Sequence, residues 1–264
     1  MKIIVLVKQV PDTAQLSILM DGLKLMAEGG PRIINPWDEY ALETGLQLKE
    51  AHGGTVTLLS LGKPEAIEAL KTGLAMGADE AILLSDPAFE GSDSLATARA
   101  LATAIKKVGE FDLIIAGCMA IDSHNAATAG QVAALLRLPQ LAYVAALKAV
   151  DPAARTITAI RLVDNGHEIV SSRLPIMMTV VQEINQPRYP SFMGIRRAAK
   201  ATIPTWGLAE LDLPGDQVGT AGAQVRWTKI SLPPTRKGGA EVISGVPAEA
   251  AKTLLDKLVA QKVI

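Results

Sequence analysis

The sequence predicts an α/β fold: an open, mostly parallel sheet with helices on both faces, followed by an extended C-terminal arm and helix. Short apolar runs alternate with helix-length segments through residues 1–150. Aromatic residues make up only 3% of the 264 residues, so Ala, Val, Ile and Leu must build the core. Strands buried on both faces of a parallel sheet have this composition. Strands and helices that alternate at this spacing form right-handed crossovers.

The first four strands and helices follow one another in order. Each apolar run has the length of a buried strand, and the segment after it has apolar residues at helical spacing. The predicted strands are 2–8, 55–61, 80–84 and 112–117, and the predicted helices are 36–51, 64–76, 94–108 and 125–136.

Capping residues mark the ends of these helices. Asn35 precedes Pro36, a favoured first helical residue, so the side chain of Asn35 is predicted to cap this helix. Gly53 and Gly77 follow helical segments, where a glycine commonly ends a helix.

The pattern changes after residue 150. An Asp-Asn-Gly turn at 164–166 separates two β-rich runs, 155–163 and 167–173, and predicts a hairpin. Residues 175–181 predict a last buried strand.

Residues 201–264 are predicted to dock on a partner subunit, leaving residues 1–200 as the α/β domain. The stretch 201–239 is rich in Pro and Gly but keeps Trp and Leu residues, which disordered linkers rarely do. The alternative is a disordered arm. A helix predicted at 247–263 has an apolar face, formed by Ala251, Leu254, Leu255, Leu258 and Val259.

Composition narrows the classes of function. The formal net charge is −1, so no positive field favours nucleic acid as a partner. The one cysteine cannot form a disulfide within the chain, which indicates a reducing compartment. The apolar run at 3–7 is too short for a signal peptide, and no stretch is long enough for membrane insertion. We expect a cytoplasmic protein, or one from the soluble interior of an organelle.

The candidate ligand site follows from the order of strands and helices. The sequence lacks the glycine-rich phosphate motifs of Rossmann dehydrogenases and P-loop enzymes. Nucleotides in open α/β sheets nevertheless bind at the carboxyl ends of strands. Three segments lie at such ends: 7–13, 61–64 and 117–128.

The segment 117–128 is the best candidate for phosphate binding. It leaves a strand and enters a helix, whose free amides and dipole favour an anion. The small side chains of Ala126 and Ala127 would let a phosphate approach, and Thr128 could add a hydroxyl. The alternative is an ordinary turn capped by Asp122 or Ser123.

The sequence shows no constellation of catalytic or metal-binding residues. The spacing of His52, His124 and His167 matches no metal site, although His124 lies in the candidate phosphate loop. Cys118, a lone cysteine at a strand end, is more typical of packing than of redox chemistry. The absence of a carboxylate pair or a nucleophile–base arrangement favours a carrier or binding protein over an acid–base enzyme.

Several segments, in order along residues 1–200, resemble the β subunit of electron transfer flavoproteins. They are 7–13 (VKQVPDT), 34–43 (INPWDEYALE), 75–79 (AMGAD), the signature-like 161–168 with 174–179 (RLVDNGHE and LPIMMT), and 187–195 (PRYPSFMGI). Residues from 201 onward are similar in character only.

The resemblance implies a Rossmann-like, adenine-nucleotide-binding subunit that works in a heterodimer with an α subunit. The redox FAD is then held mainly by the α subunit, near the interface. The β subunit holds AMP or, in electron-bifurcating members, a second FAD. Together the subunits accept electrons from flavin dehydrogenases and pass them on, so the chain would be a carrier rather than an enzyme.

The resemblance also implies the nucleotide contacts, which include the loop chosen above from strand–helix order. Cys118 and Met119 stand where many members have Lys or Arg and then Gln, and 125–130 departs from the Thr-Ala-Gln-Val-Gly of bifurcating members. The choice between AMP and a second FAD therefore stays open. The implied contacts are Leu6, Asn35, Pro36, Trp37, Asp38, Leu61, Gly117, Cys118, Met119, Asp122, Ser123, His124, Asn125, Ala126, Ala127 and Thr128.

A docking loop for partner dehydrogenases is the second implied site. Phe192, Met193 and Ile195 lie between turn-forming residues and are expected at an exposed loop tip. The alternative is that Phe192 and Ile195 pack on the chain's own core. The nearby cations are Arg188, Arg196, Arg197 and Lys200.

Two other functions remain open on sequence alone. A stand-alone adenine-nucleotide sensor of the universal-stress type would share this sheet but would give no role to the arm or to Phe192. An enzyme that activates a substrate with ATP would need a glycine-rich pyrophosphate loop or acids placed for Mg²⁺, and the sequence shows neither.

Overall fold

The computed structural model describes residues 1–14, 17–21, 24–28, 31–229, 231 and 240–264. The strands are β1 (Lys2–Leu6), β2 (Gln9–Pro11), β3 (Ser17–Asp21), β4 (Lys24–Glu28), β5 (Arg32–Ile34), β6 (Thr55–Leu61), β7 (Glu80–Leu84), β8 (Leu113–Gly117), β9 (Gln140–Asp151), β10 (Thr156–Val163), β11 (Gly166–Arg173), β12 (Ile176–Val180) and β13 (Thr205–Trp206). The α-helices are α1 (Pro36–His52), α2 (Ile67–Met76), α3 (Ser94–Val108), α4 (Thr128–Leu136), α5 (Phe192–Ala198), α6 (Leu208–Leu211), α7 (Gly219–Gly222) and α8 (Pro247–Ala260).

One large sheet organises the described residues, with nine strands in the order β11-β10-β9-β12-β8-β1-β6-β7-β13. The strands from β9 through β12, β8, β1, β6 and β7 to β13 pair in parallel. β9, β10 and β11 form an antiparallel extension, and the turn between β10 and β11 is the predicted hairpin. The prediction of an open, mostly parallel α/β sheet is confirmed.

Helices cover both faces of the sheet, as predicted. Side chains of β1 alternate between the two faces because successive residues of a strand point to opposite sides. Ile3 and Val5 pack with residues of α1 and α2, whereas Ile4 and Leu6 pack with residues of α3 and α4. Each large aliphatic side chain buried in this way contributes about 1.5–3 kcal/mol to stability. The buried central strands therefore hold in place the edge of the sheet at which their carboxyl ends lie.

The contacts divide the chain into two units, Met1–Thr228 and Lys229–Ile264. The first unit differs from the predicted 1–200 domain because residues 201–228 join it. β13 pairs in parallel with β7, and Leu211 is buried in the core. Residues 201–228 were predicted to dock on a partner subunit, but they extend this chain's own sheet and pack on its own core. The second unit contains α8, in which Leu254, Leu255 and Val259 are exposed.

β9 and the start of α4 differ from the predictions. β9 was not predicted, because its buried and exposed residues do not alternate regularly and Tyr143 within it has a φ of 57°. α4 begins at Thr128 instead of 125, because His124 and Ala126 adopt left-handed backbone conformations that cannot belong to an α-helix. The extra residues form an extended loop between β8 and α4.

Among the described residues, none of the helices combines the length and the apolar composition needed to span a bilayer.

Candidate functional site

A cavity of about 590 Å³ opens at the carboxyl ends of the central parallel strands. Leu6 of β1, Leu61 of β6 and Gly117 of β8 line it, together with the loop that joins β8 to α4. Cavities of this size hold small organic ligands, and the carboxyl edge is where open α/β sheets bind them.

Most of the predicted nucleotide contacts meet in this cavity. Pro36, Trp37, Asp122 and His124 do not line it. The predicted residues that do line it are Leu6, Asn35, Asp38, Leu61, Gly117, Cys118, Met119, Ser123, Asn125, Ala126, Ala127 and Thr128.

The start of α4 has no side-chain cap. Ala127 occupies the N-cap position and carries no polar group, and the first-turn amides of a helix have no partner within it. Ser123 does not cap α4, and Asp122 accepts hydrogen bonds from Nζ of Lys8 at 2.7 Å. The alternative of a turn capped by Asp122 or Ser123 is therefore wrong. An uncapped helix start beside a cavity can bind an anion.

The side chain of Asn35 holds the β8–α4 loop instead of capping α1. Its Nδ2 donates to the Met119 carbonyl at 2.9 Å, and its Oδ1 accepts from the Ile121 amide at 3.1 Å. No side-chain cap forms at the start of α1, so the predicted role of Asn35 is wrong. The buried amide meets its hydrogen-bonding needs on the loop, and this contact sets the loop's course.

The carboxylate of Asp38 joins the ends of two strands. Oδ2 accepts from the amide of Lys8 at 2.8 Å, and Oδ1 accepts from the amide of Gly117 at 3.0 Å. Burial raises the pKa of Asp38 to about 7, and these hydrogen bonds offset part of that rise. A Cβ on Gly117 would lie 2.5 Å from Cβ of Trp37 and 2.6 Å from Oδ1 of Asp38. Only glycine fits at position 117, because Trp37 and Asp38 of α1 pack directly against its backbone.

Cys118 is a packing residue on the cavity wall. It clusters with Ala145 and Val181, and Trp37 packs against that cluster. Burial raises the pKa of the Cys118 thiol to about 11, so the thiolate needed for redox chemistry is scarce at neutral pH. The structure agrees with the packing interpretation of this residue.

One wall of the cavity was not predicted from the sequence. It consists of the turn after β7 and the first turns of α3, including Gly91, Asp93 and Thr97. The rule that selected the loop after β8 applies equally to the turn after β7, so this wall could have been predicted. Val7, Lys8 and Ala120 also line the cavity and belong to the predicted segments 7–13 and 117–128. The further lining residues outside the predicted segments are Leu59, Phe89, Ser92, Ser94, Leu101, Ala116, Ala129, Val225 and Trp227.

The predicted docking residues form an exposed patch on helix α5, so the prediction that they lie on a loop tip is wrong although their predicted exposure is observed. Phe192 is 73% exposed, Met193 69% and Ile195 52%, so the alternative of core packing does not hold. Arg188, however, donates to Glu43 and Glu50 of α1 and is held within the fold. Arg197 also contacts the fold, because its guanidinium donates to two backbone carbonyls. Lys200 is exposed.

Within the ranges that the structure describes, no group of His, Cys, Asp and Glu could hold a metal ion. The cavity thus presents an uncapped helix start, small side chains, and apolar and amide groups. This set can hold a ligand with an anionic group and a planar ring.

Comparisons with known proteins agree with this reading. A family model described as the electron transfer flavoprotein domain matches residues 23–211. Electron transfer flavoprotein subunit beta of Thermoanaerobacterium thermosaccharolyticum is 38% identical over 265 residues, covering 100% of both chains. Caffeyl-CoA reductase-Etf complex subunit CarD of Acetobacterium woodii is 40% identical over 266 residues, also covering 100% of both. Protein FixA of Bradyrhizobium diazoefficiens is 37% identical over 260 residues, 97% of this chain and 90% of its own length.

Proposed function

We infer that this chain, which belongs to the electron transfer flavoprotein family and is a β subunit of such a carrier, binds an adenine nucleotide in its cavity. It acts with an α subunit in flavin-associated electron transfer, and it is a carrier subunit and not an enzyme. The nucleotide is AMP or a second FAD. The observation that carries this proposal is the uncapped start of α4 on the cavity wall.

The residues of the cavity suit a nucleotide phosphate. The amides at the start of α4 donate to it, and Ala126 and Ala127 leave room for it. Lys8 also lines the cavity, but its charge is partly neutralised by Asp122. Binding therefore depends on the helix start more than on a cationic side chain.

The redox flavin of the carrier is an FAD held mainly by the α subunit near the interface, where it supplies the electron-accepting ring. In this carrier the β subunit holds its own nucleotide, binds the α subunit, and presents the patch on α5 to flavin dehydrogenases. A stand-alone nucleotide sensor is not supported, because the relatives are named as subunits and as members of a complex.

The substitution Ala127→Glu tests the phosphate site. It places a longer, negatively charged side chain at the N-cap of α4, where it fills the space and repels a phosphate. We expect the purified protein to lose its nucleotide, measured by releasing the ligand with acid and separating it by chromatography.

Ala134→Glu is the matched control for that test. Ala134 lies on the same helix but is exposed and does not line the cavity. The control variant should keep its full nucleotide content. Full nucleotide content in Ala127→Glu as well would remove the phosphate assignment.

The same chromatography distinguishes AMP from a second FAD. The subunit is produced together with its α subunit, and the ligands are counted per heterodimer. One FAD and one AMP would assign AMP to this cavity, whereas two FAD would assign the flavin. A heterodimer that carries one FAD and no other nucleotide would contradict the proposal.

A further inference from the structure

Two residues near the end of the first unit, Val225 and Trp227, line the cavity. Val225 is 62% exposed, and Trp227 is 74% exposed. An indole ring on a cavity wall that makes so little contact with protein leaves an apolar, polarisable face available to a ligand. Planar rings of nucleotides stack on such faces. The position of Trp227 beside the cavity is therefore a reason to assign it a ligand contact.

The backbone that leads to Trp227 is held by Asp93. Oδ2 of Asp93 accepts from the amides of Gln224 and Val225, at 2.7 and 2.9 Å. Oδ1 accepts from the amide of Ala96 at 2.8 Å and so caps α3. One carboxylate thus fixes both the helix that forms one cavity wall and the segment that carries the indole.

More contacts hold the preceding residues against the same wall. The guanidinium of Arg99 donates to the carbonyls of Gln217 and Gly222 at 3.2 Å each. The Ser92 hydroxyl accepts from the Gly219 amide at 2.8 Å. Residues 217–225 are therefore tied to the start of α3 at several points, and Trp227 follows only two residues after the last of them.

The two helix starts at the cavity differ in charge. The carboxylate of Asp93 occupies the start of α3, whereas no side chain caps α4. A phosphate is repelled from the first and attracted to the second. The ring of a ligand whose phosphate binds at α4 can then extend toward the wall that contains Phe89, Leu101 and Trp227.

We propose that Trp227 is a ring-contacting residue of the nucleotide site: its indole stacks on the planar ring of the bound nucleotide, and Asp93 is the positioning residue that holds it there. The inference rests on the proposed nucleotide binding. The ring is the adenine of AMP or the flavin of FAD, and both have the flat π-face that stacking requires.

Calorimetric titration of the full chain, freed of nucleotide, with AMP and with FAD tests the proposal. Trp227→Leu keeps an apolar side chain but removes the ring, and we expect its dissociation constant to rise about tenfold for the stacked ligand. Trp227→Phe keeps a planar ring and should retain most of the affinity. Because Trp227 is 74% exposed, both variants should melt close to the unaltered protein.

The two ligands distinguish the two rings. Weaker binding of both AMP and FAD to Trp227→Leu assigns the adenine to the indole, and weaker binding of FAD alone assigns the flavin. Unchanged affinity for both ligands in Trp227→Leu overturns the inference while leaving the nucleotide site intact. An unaltered chain that binds neither ligand overturns the proposed function and this inference together.

Asp93→Ser tests the positioning role. Serine can still cap α3, but its single oxygen cannot also hold the amides of Gln224 and Val225. We expect weaker binding with little change in melting temperature, and no further weakening when Asp93→Ser is added to Trp227→Leu, because both changes remove one contact. Additive losses in the double variant would contradict a role that acts through Trp227.

Discussion

Asp38 is a buried carboxyl group whose protonation is coupled to folding. Burial raises its pKa from 3.8 to about 7. Between about pH 4 and pH 7 the folded chain therefore binds a proton that the unfolded chain releases. We expect this group to lower the free energy of unfolding as the pH rises through that range, with no further change above it. Chemical denaturation at a series of pH values measures the slope.

Asp38→Asn provides the comparison, because other carboxyl groups contribute their own slopes in both proteins. The amide cannot ionise, so the difference between the two slopes isolates Asp38. Its Nδ2 cannot accept from the amide of Lys8 or of Gly117, so the variant should also be about 1–3 kcal/mol less stable. Equal slopes for the variant and the unaltered chain would mean that Asp38 stays ionised throughout.

At the residue scale, most of the cavity residues could be predicted from the sequence, but their hydrogen-bond partners could not. Asn35 and Asp38 were predicted as site residues, and both line the cavity. Their hydrogen-bond partners lie 84 and 79 residues further along the chain, at Met119 and Gly117. Local capping rules cannot anticipate bonds of that range, because the partners meet only when the sheet has formed. Trp227 was missed for the same reason, since its anchor Asp93 is distant in sequence.

At the scale of elements, two truncations separate the roles of the C-terminal residues. Deleting Lys229–Ile264 removes the second unit and leaves every strand of the sheet in place. We expect this variant to keep a melting temperature near that of the unaltered chain and to lose assembly with the α subunit, measured by size-exclusion chromatography of the co-produced subunits. Normal assembly of this variant would show that the second unit does not bind the α subunit.

Deleting residues from 201 onward is the contrasting truncation. It also removes β13 and the buried side chains of Leu211 and Val218. Loss of each large buried side chain costs about 2–5 kcal/mol, so the sheet domain should be strongly destabilised. A cooperative transition at an unchanged temperature would contradict the assignment of residues 201–228 to the first unit.

Elements with regular patterns were predicted well, and those shaped by distant contacts were not. β1, β6, β7 and β8 are continuous apolar runs, and their neighbouring helices have marked ends. β9 was missed because its buried and exposed residues do not alternate regularly, so the strand shows no period of two in its sequence. β13 has only two residues and depends on its pairing with β7.

At the scale of the whole molecule, the patch on α5 is the proposed contact with dehydrogenases. Phe192 is 73% exposed, so truncating it to Ala removes contact area without opening a cavity in the core. We expect the affinity of the assembled carrier for its dehydrogenase to fall by about 2 kcal/mol, with the melting temperature nearly unchanged. Surface plasmon resonance of the heterodimer on the immobilised dehydrogenase measures this loss.

Ile169→Ala is the control for the docking prediction. Ile169 is an apolar residue that is 62% exposed on β11, outside the patch. Its truncation should leave the affinity for the dehydrogenase unchanged. If both variants bind as the unaltered carrier does, the patch on α5 is not the docking site.

The double ion pair of Arg188 has a consequence for exchanging parts between related carriers. Arg188 stands just ahead of α5 and is held by Glu43 and Glu50, which belong to α1. The same helix contains Asp38, whose carboxylate accepts from the amide of Gly117 at the cavity. A chimaera that grafts residues 188–198 from one carrier into another should therefore transplant positions 43 and 50 as well, so that the arginine of the graft keeps its two carboxylates and the buried carboxylate of α1 keeps its cation. The proposed docking patch can thus be exchanged only together with a stretch of α1 that lies some distance away in the sequence.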